Sequence, residues 1–152
     1  MKEYNGSTWS ESTALPSYRR THRFNGTQNS ALSTGGIPAS NSEALEYDGV
    51  TWTEGGDMIF AQSLHGAAGS QNSAITQGGP SNQALAQEYD GSTWSTANSL
   101  AGTDRGHQAA GTQNDAIFFG GQYTPLRSYF YDGTNWTVGP SGIINRAYCA
   151  QG

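Results

Sequence analysis

The strongest constraint on the fold of this chain is a six-residue stretch that occurs four times. Its copies occupy residues 4–9, 47–52, 89–94 and 131–136. Each begins with Tyr, continues with Asn or Asp and then Gly, and ends with Trp. Successive tryptophans lie 43, 42 and 42 residues apart. Recurrence at a fixed period of this size predicts an array of one repeated supersecondary unit.

Each copy of the stretch predicts a β-hairpin. Asn-Gly or Asp-Gly between two extended runs favours a two-residue type I′ turn, which needs positive φ at both central residues. Tyr and Trp are good strand formers. We expect these aromatic residues to pack between neighbouring units, and a sugar-stacking platform is the alternative. They are Tyr4, Tyr47, Tyr89 and Tyr131 with Trp9, Trp52, Trp94 and Trp136.

A second repeated block lies between the hairpins, at residues 26–36, 69–79 and 111–121. Each copy reads Gly-Thr/Ser-Gln-Asn, then Ala with Leu or Ile, and closes on Gly-Gly. Gln-Asn predicts a turn, and the Ala-Leu/Ile run predicts a short buried strand. Each unit therefore contains four strands, a to d, in an all-β chain. Four antiparallel strands every 42 residues are typical of the blades of a β-propeller.

The order Gly-Gly, Tyr-Asp-Gly, Trp and then Arg resembles the kelch repeat. Arg20, Arg105 and Arg146 stand where that repeat has a basic residue, and Ser63 replaces it in the second unit. The resemblance covers the whole chain and implies a β-propeller of four-stranded blades. The Gly- and Asn-rich composition is also similar to kelch-like modules of phage and bacterial surface proteins, which implies an extracellular or virion-associated location.

The repeat divides residues 1–152, taken as one domain, into three whole blades and two partial ones. Residues 1–10 supply strands c and d of a split blade, 20–56, 63–96 and 105–138 are whole blades, and 146–152 supply a strand a. Open ends of this kind expose strand edges, which proteins rarely leave free. We therefore expect self-association, as a homodimer or larger assembly, to complete the ring.

Charge and composition narrow the classes of partner. The net charge is −5 with only 7 Lys and Arg, which argues against nucleic-acid binding. No apolar run is long enough to span a membrane, and the N-terminus has no apolar signal region. Cys149 is the only cysteine, so an internal disulfide is excluded.

Two groups of residues are candidates for ligand binding. His22, His65 and His107 each lie two residues after the Arg or Ser that begins the repeated motif, and they could line one mouth of an axial channel. There they would bind a metal or an anion; a structural hydrogen bond is the alternative. The second group lies in non-repeated loops, which carry function on a rigid scaffold. It comprises Tyr18, Arg19, Arg20, Arg105, Tyr123 and Arg127.

The repeated Asp48, Asp90 and Asp132 offer calcium-type oxygens, but Asn5 fills the same position, which favours a turn role. No catalytic motif or cofactor signature is present. We therefore expect a non-enzymatic recognition module that binds a glycan or surface polymer through repeated weak sites. The alternatives are a structural or protein-interaction propeller within a fibre or oligomer, and a metal-dependent enzyme.

Overall fold

The computed structural model describes residues 1–38, 42–79, 84–100, 102 and 104–142. Within these residues the regular structure is entirely β, and none of it is helix, so no helix there could cross a membrane. The strands are β1 (Lys2–Tyr4), β2 (Trp9–Glu11), β3 (Arg23–Thr27), β4 (Ser30–Thr34), β5 (Ala44–Tyr47), β6 (Trp52–Glu54), β7 (Gly66–Ser70), β8 (Ser73–Gln77), β9 (Ala86–Tyr89), β10 (Trp94–Ala97), β11 (His107–Thr112), β12 (Asp115–Gly120), β13 (Ser128–Tyr131) and β14 (Trp136–Val138).

The strands form four antiparallel sheets in chain order. Sheet 1 contains β1 and β2, sheet 2 contains β3 to β6, sheet 3 contains β7 to β10, and sheet 4 contains β11 to β14. Within each sheet every strand pairs with its neighbour in sequence, so each sheet is a simple meander. This series of four-stranded meanders is consistent with a propeller-like arrangement. The segment 146–152, expected to form a further strand, lies outside the described residues.

The hairpin between strands c and d differs from the expected type I′ turn. Tyr47 pairs with Trp52, so four residues separate the paired positions. Gly49 has φ of +93°, whereas Asp48 does not share this left-handed conformation. The Asp48 carboxylate instead accepts hydrogen bonds from the backbone N–H groups of Val50 and Thr51. Asp is therefore required here for its side-chain acceptor and not for tolerance of positive φ.

The turn between strands a and b forms at Gln-Asn, as the sequence predicts. In sheet 3, Ser70 pairs with Ser73 and leaves Gln71 and Asn72 at the tip. The preceding Gly69 has φ of +113°, and a Cβ at this position would meet the carbonyl oxygen of Ser73. Only glycine satisfies both requirements, which explains its recurrence one residue before the end of strand a.

Consecutive sheets pack face to face, with the innermost strands side by side. Strand β7 lies between β3 and β11. One buried cluster joins Leu32 of sheet 2 to Tyr89 and Trp94 of sheet 3. A second joins Ile75 of sheet 3 to Tyr131 of sheet 4, with Trp136 packed against it. Each interface therefore places an aliphatic side chain from strand b beneath the Tyr-Trp pair of the following sheet.

Candidate functional site

The repeated tyrosines make hydrogen bonds between sheets. The Tyr89 hydroxyl donates to the Glu46 carboxylate at 2.5 Å, and the Tyr131 hydroxyl donates to Glu88 at 2.8 Å. In the same way Tyr47 donates to Glu3 of sheet 1. Burial and the adjacent Glu46 carboxylate raise the pKa of Tyr89 to about 12. Each tyrosine is thus tied, in its neutral form, to the glutamate of the preceding sheet.

The repeated tryptophans follow the same rule. Nε1 of Trp52, Trp94 and Trp136 donates to a backbone carbonyl of the preceding sheet or the segment after it, at 3.2, 2.7 and 2.7 Å. The glutamine of each a–b turn also reaches back, as Gln113 does to the carbonyl of Tyr89. These aromatic residues are therefore part of the packing between sheets.

The first copy of the repeat is the exception, because no sheet precedes it within the described residues. Trp9 is 67% exposed and Tyr4 is 46% exposed, whereas Tyr47, Tyr89 and Tyr131 are at most 3% exposed. The Tyr4 hydroxyl donates to the carbonyl of Gly6 in its own turn. The tilted Tyr4 and Trp9 rings lie 5.2 Å apart between centroids and present their surface to solvent.

These exposed rings border a largely apolar cavity. The cavity has a volume of about 300 Å³ and lies between the edge of β1 and the face of sheet 2. Five aromatic residues line it, with Glu3 and Gln28 among its polar groups, and we call it the aromatic cleft. The aromatic residues are Tyr4, Trp9, Phe24, Tyr47 and Trp52. Phe24 is 44% exposed within it.

The three histidines lie at the starts of the innermost strands, as expected, but two are fully buried. His65 and His107 have no exposed surface, and His65 Nε2 lies 2.9 Å from the Thr34 hydroxyl. Burial, with a smaller contribution from the Arg23 charge, lowers the pKa of His65 to about 3. Burial also lowers the pKa values of His107 and His22. Neutral, enclosed rings of this kind are unsuited to an external ligand.

Arg19 is also buried, although the sequence placed it among exposed loop residues. It is 6% exposed, forms an ion pair with Glu43 and donates to the carbonyl of Gly35. Gln62 and Asp104 hold the same place before sheets 3 and 4, where each bonds to the loop between strands b and c. Arg19, Gln62 and Asp104 thus anchor equivalent loops with a cation, an amide and a carboxylate. Because these residue types differ, the sequence does not show that the three positions share a role.

The other loop candidates lie at one end of the sheets, because the d–a and b–c connections leave antiparallel strands on the same side. Tyr18 is 81% exposed and Tyr123 is 55% exposed. The Arg105 guanidinium lies 5.6 Å from the centroid of the Tyr123 ring, a cation–π contact. Arg20 and Arg127 are exposed at the same end. Tyr18, Arg20, Tyr123 and Arg127 are therefore accessible at this end of the sheets.

Arg23 is a central residue that the sequence analysis missed, because it does not recur. It stands at the start of β3, and its Nε donates to the carbonyl of His65 at 2.7 Å. Its Nη2 donates to the carbonyl of His107 at 3.3 Å. The Arg23 guanidinium therefore connects the start of β3 in sheet 2 to the starts of β7 and β11 in sheets 3 and 4. Burial lowers the pKa of Arg23 below its usual value.

The carboxylates of the repeated turn aspartates accept hydrogen bonds from the backbone of their own turns. Hydrogen bonds from backbone N–H groups of the same turns hold the pKa values of Asp48, Asp90 and Asp132 below the usual range. Among the described residues no three His, Cys, Asp or Glu side chains are grouped as a metal site would require. Comparison with known proteins adds no assignment, since neither a protein-family model nor a curated protein matches the chain significantly.

Proposed function

We propose that this chain is part of a kelch-like β-propeller that acts as a non-enzymatic recognition module, with a glycan as its ligand. The observation that carries the proposal is the aromatic cleft, where five aromatic rings and a few polar groups surround about 300 Å³. Ligand sites are concave and mainly apolar, with a small number of polar groups that fix orientation. Aromatic faces would pack on the C–H surface of a sugar ring, and Glu3 and Gln28, which line the cleft, would be polar partners for its hydroxyl groups.

The position of the cleft changes the expected source of avidity. Trp52, Trp94 and Trp136 are bonded to preceding sheets, so the repeat supplies one open aromatic surface per chain and not four. A single shallow site of this kind binds weakly. Several chains on one particle or in one assembly would then provide the multivalent attachment.

The test is binding of the whole chain, at high surface density, to a panel of immobilised mono- and oligosaccharides. Binding that Trp9→Ala abolishes supports the proposal, because Trp9 is exposed and its loss removes a wall of the cleft. Tyr18→Ala is the matched control, since it removes an equally exposed aromatic residue outside the cleft. Failure of the chain to bind any sugar, or equal loss in both variants, would exclude a glycan site here.

A second candidate function, protein assembly, has its own support at β1. In sheets 2 to 4, strand c pairs with strand b on one side and with strand d on the other. In sheet 1 the described residues pair β1 only with β2, and the cleft lies along its other edge. An added β-strand from a partner protein would extend this sheet through backbone hydrogen bonds.

The two candidates are distinguished by a peptide with the sequence of residues 73–77, which forms strand b of sheet 3. Amide shifts at Lys2, Glu3 and Tyr4 on adding this peptide, together with an absence of sugar binding, favour assembly. Shifts produced by a sugar and not by the peptide favour glycan recognition.

A further inference from the structure

The two ends of the sheet series carry faces that match the halves of its internal interfaces. We call Tyr4 and Trp9 of sheet 1 the leading face. We call Ile117, Phe119 and Phe130 of sheet 4 the trailing face. Trp9 and Phe130 are 67% and 41% exposed, and Ile117 and Phe119 are half-buried. Exposed aromatic and aliphatic groups at both ends of a repeat array need capping or a partner.

Strand pairing places Ile117 at the position in sheet 4 that an aliphatic interface residue occupies in sheets 2 and 3. Leu32 pairs with Glu46, Ile75 pairs with Glu88, and Ile117 pairs with Phe130. Leu32 and Ile75 pack beneath the Tyr-Trp pairs of sheets 3 and 4. Within the described residues, no Tyr-Trp pair covers Ile117. The trailing face therefore presents the aliphatic half of the interface and the leading face presents the aromatic half.

Neither end of the sheet series offers the tyrosine–glutamate hydrogen bond that joins the internal sheets, and the two ends are compatible in this respect. Where sheets 1 to 3 have Glu3, Glu46 and Glu88, sheet 4 has Phe130. The tyrosine that would meet Phe130 in a continued series is Tyr4, whose hydroxyl is already bonded to the Gly6 carbonyl. Contact between Tyr4 and Phe130 would thus leave neither a carboxylate nor a hydroxyl without a partner, and it would remove apolar surface from water.

We infer that the trailing face of one copy docks on the leading face of a second copy, head to tail. The contact continues the interface that joins sheets 2, 3 and 4 within the chain. It is heterologous, because different surfaces meet on the two copies. The leading face shares Tyr4 and Trp9 with the aromatic cleft, whereas the trailing face lies outside it, so the Phe130 variants test docking without changing the proposed glycan site.

The test measures the mass of the intact chain by light scattering across a range of concentrations up to the millimolar range. We expect concentration-dependent association of the unmodified chain. Trp9→Asp and Phe130→Lys should each be monomeric alone, because each destroys one face. Their equimolar mixture should form a dimer and nothing larger, because each copy retains one intact face. Thermal unfolding of each variant establishes that it is folded, and Val50→Asp, a charge at an exposed turn, is the matched control.

Phe130→Glu provides a second arm that does not depend on loss of association. It restores the glutamate found in the other sheets, so Tyr4 would donate to it as Tyr131 donates to Glu88. Association should persist in this variant while it is lost in Phe130→Lys. A monomer at every concentration, an unmodified chain and single variants that associate equally, or a mixture that stays monomeric would each overturn the inference.

Discussion

The Tyr131 hydroxyl donates a 2.8 Å hydrogen bond to the Glu88 carboxylate of the preceding sheet. The two residues are 43 positions apart, and Glu88 immediately precedes Tyr89, the counterpart of Tyr131 in the preceding repeat. The bond therefore joins the third strands of neighbouring sheets, β13 and β9. Since Tyr89 and Tyr47 make the same bond, it is the unit from which the packing of the sheets is built.

Tyr131→Phe should lower the free energy of unfolding by about 1.5–3 kcal/mol, the usual value of a hydrogen bond to a charged group. The ring and its packing are retained, so the loss isolates the hydroxyl. Tyr4→Phe is the control, because its hydroxyl is exposed and bonds only within its own turn, and it should change stability by less than about 0.5 kcal/mol. Urea unfolding measures both. Equal losses in the two variants would contradict a role for the bond between sheets.

Stability should fall as the pH is lowered from 6.5 towards 3, because His65 is buried in its neutral form. The usual histidine pKa of 6.5 applies to the unfolded chain, and the folded pKa is about 3. Between these two pH values His65 is protonated in the unfolded state and neutral in the folded state. The free energy of unfolding therefore decreases by roughly 1 kcal/mol for each pH unit below 6.5.

The measurement for this prediction is urea unfolding at a series of pH values. Aspartates with lowered pKa values contribute loss in the same direction, but at lower pH. His65→Gln retains a polar group opposite Thr34 and removes the titration, so its stability should depend less steeply on pH between 6.5 and 4.5. An unchanged slope would show that His65 is accessible to protons in the folded state.

Arg23→Lys should destabilise the junction of the three inner strands by about 1–3 kcal/mol, because a lysine cannot reproduce the two directed N–H donors of the guanidinium. The carbonyls of His65 and His107 would lose a donor within a packed region. Hydrogen exchange should accelerate at the starts of β7 and β11. Arg20→Lys, at an exposed position whose side chain is not the donor in these two hydrogen bonds, should leave that exchange unchanged.

Gly69→Ala and Gly6→Ala test why glycine recurs. Both positions have positive φ, at +113° and +95°, so an alanine is strained at either by about 1–2 kcal/mol. Only at Gly69 would the new Cβ also overlap backbone atoms of Ser73 and Ala74, whereas nothing lies within 4 Å at Gly6. Thermal unfolding should therefore show a clearly larger loss for Gly69→Ala. A larger loss at Gly6 would mean that φ strain alone governs both positions.

The parts of the fold that recur could be predicted because local chemistry repeats with them. The hairpin at residues 47–52 and the turn at Gln71-Asn72 follow from residue types that few other structures accommodate. The conformation of the hairpin was predicted wrongly, because Asp48 has two properties suited to turns and the sequence does not say which is used. The structure shows that the Asp48 carboxylate accepts hydrogen bonds within the turn and that Asp48 does not adopt a positive φ.

The candidate site could not be predicted, because it depends on what a neighbour covers. Tyr4 and Tyr89 lie in nearly identical local sequences, yet one is 46% exposed and the other 1%. Arg19 and Tyr18 are adjacent, yet one is buried in an ion pair and the other is open to solvent. Burial of this kind depends on how neighbouring sheets pack, and the sequence of a single repeat does not reveal it.

The amino-acid sequence by itself determined the period, the all-β character and the positions of the strands and turns, because these depend on residues close together in the chain. Only the tertiary structure decided that the tyrosines bond to glutamates one repeat earlier, that Arg23 joins three sheets, and that Trp9 borders an open cleft. Those features bring together atoms about 40 to 84 residues apart, and their energy comes from burial and hydrogen bonding across sheets.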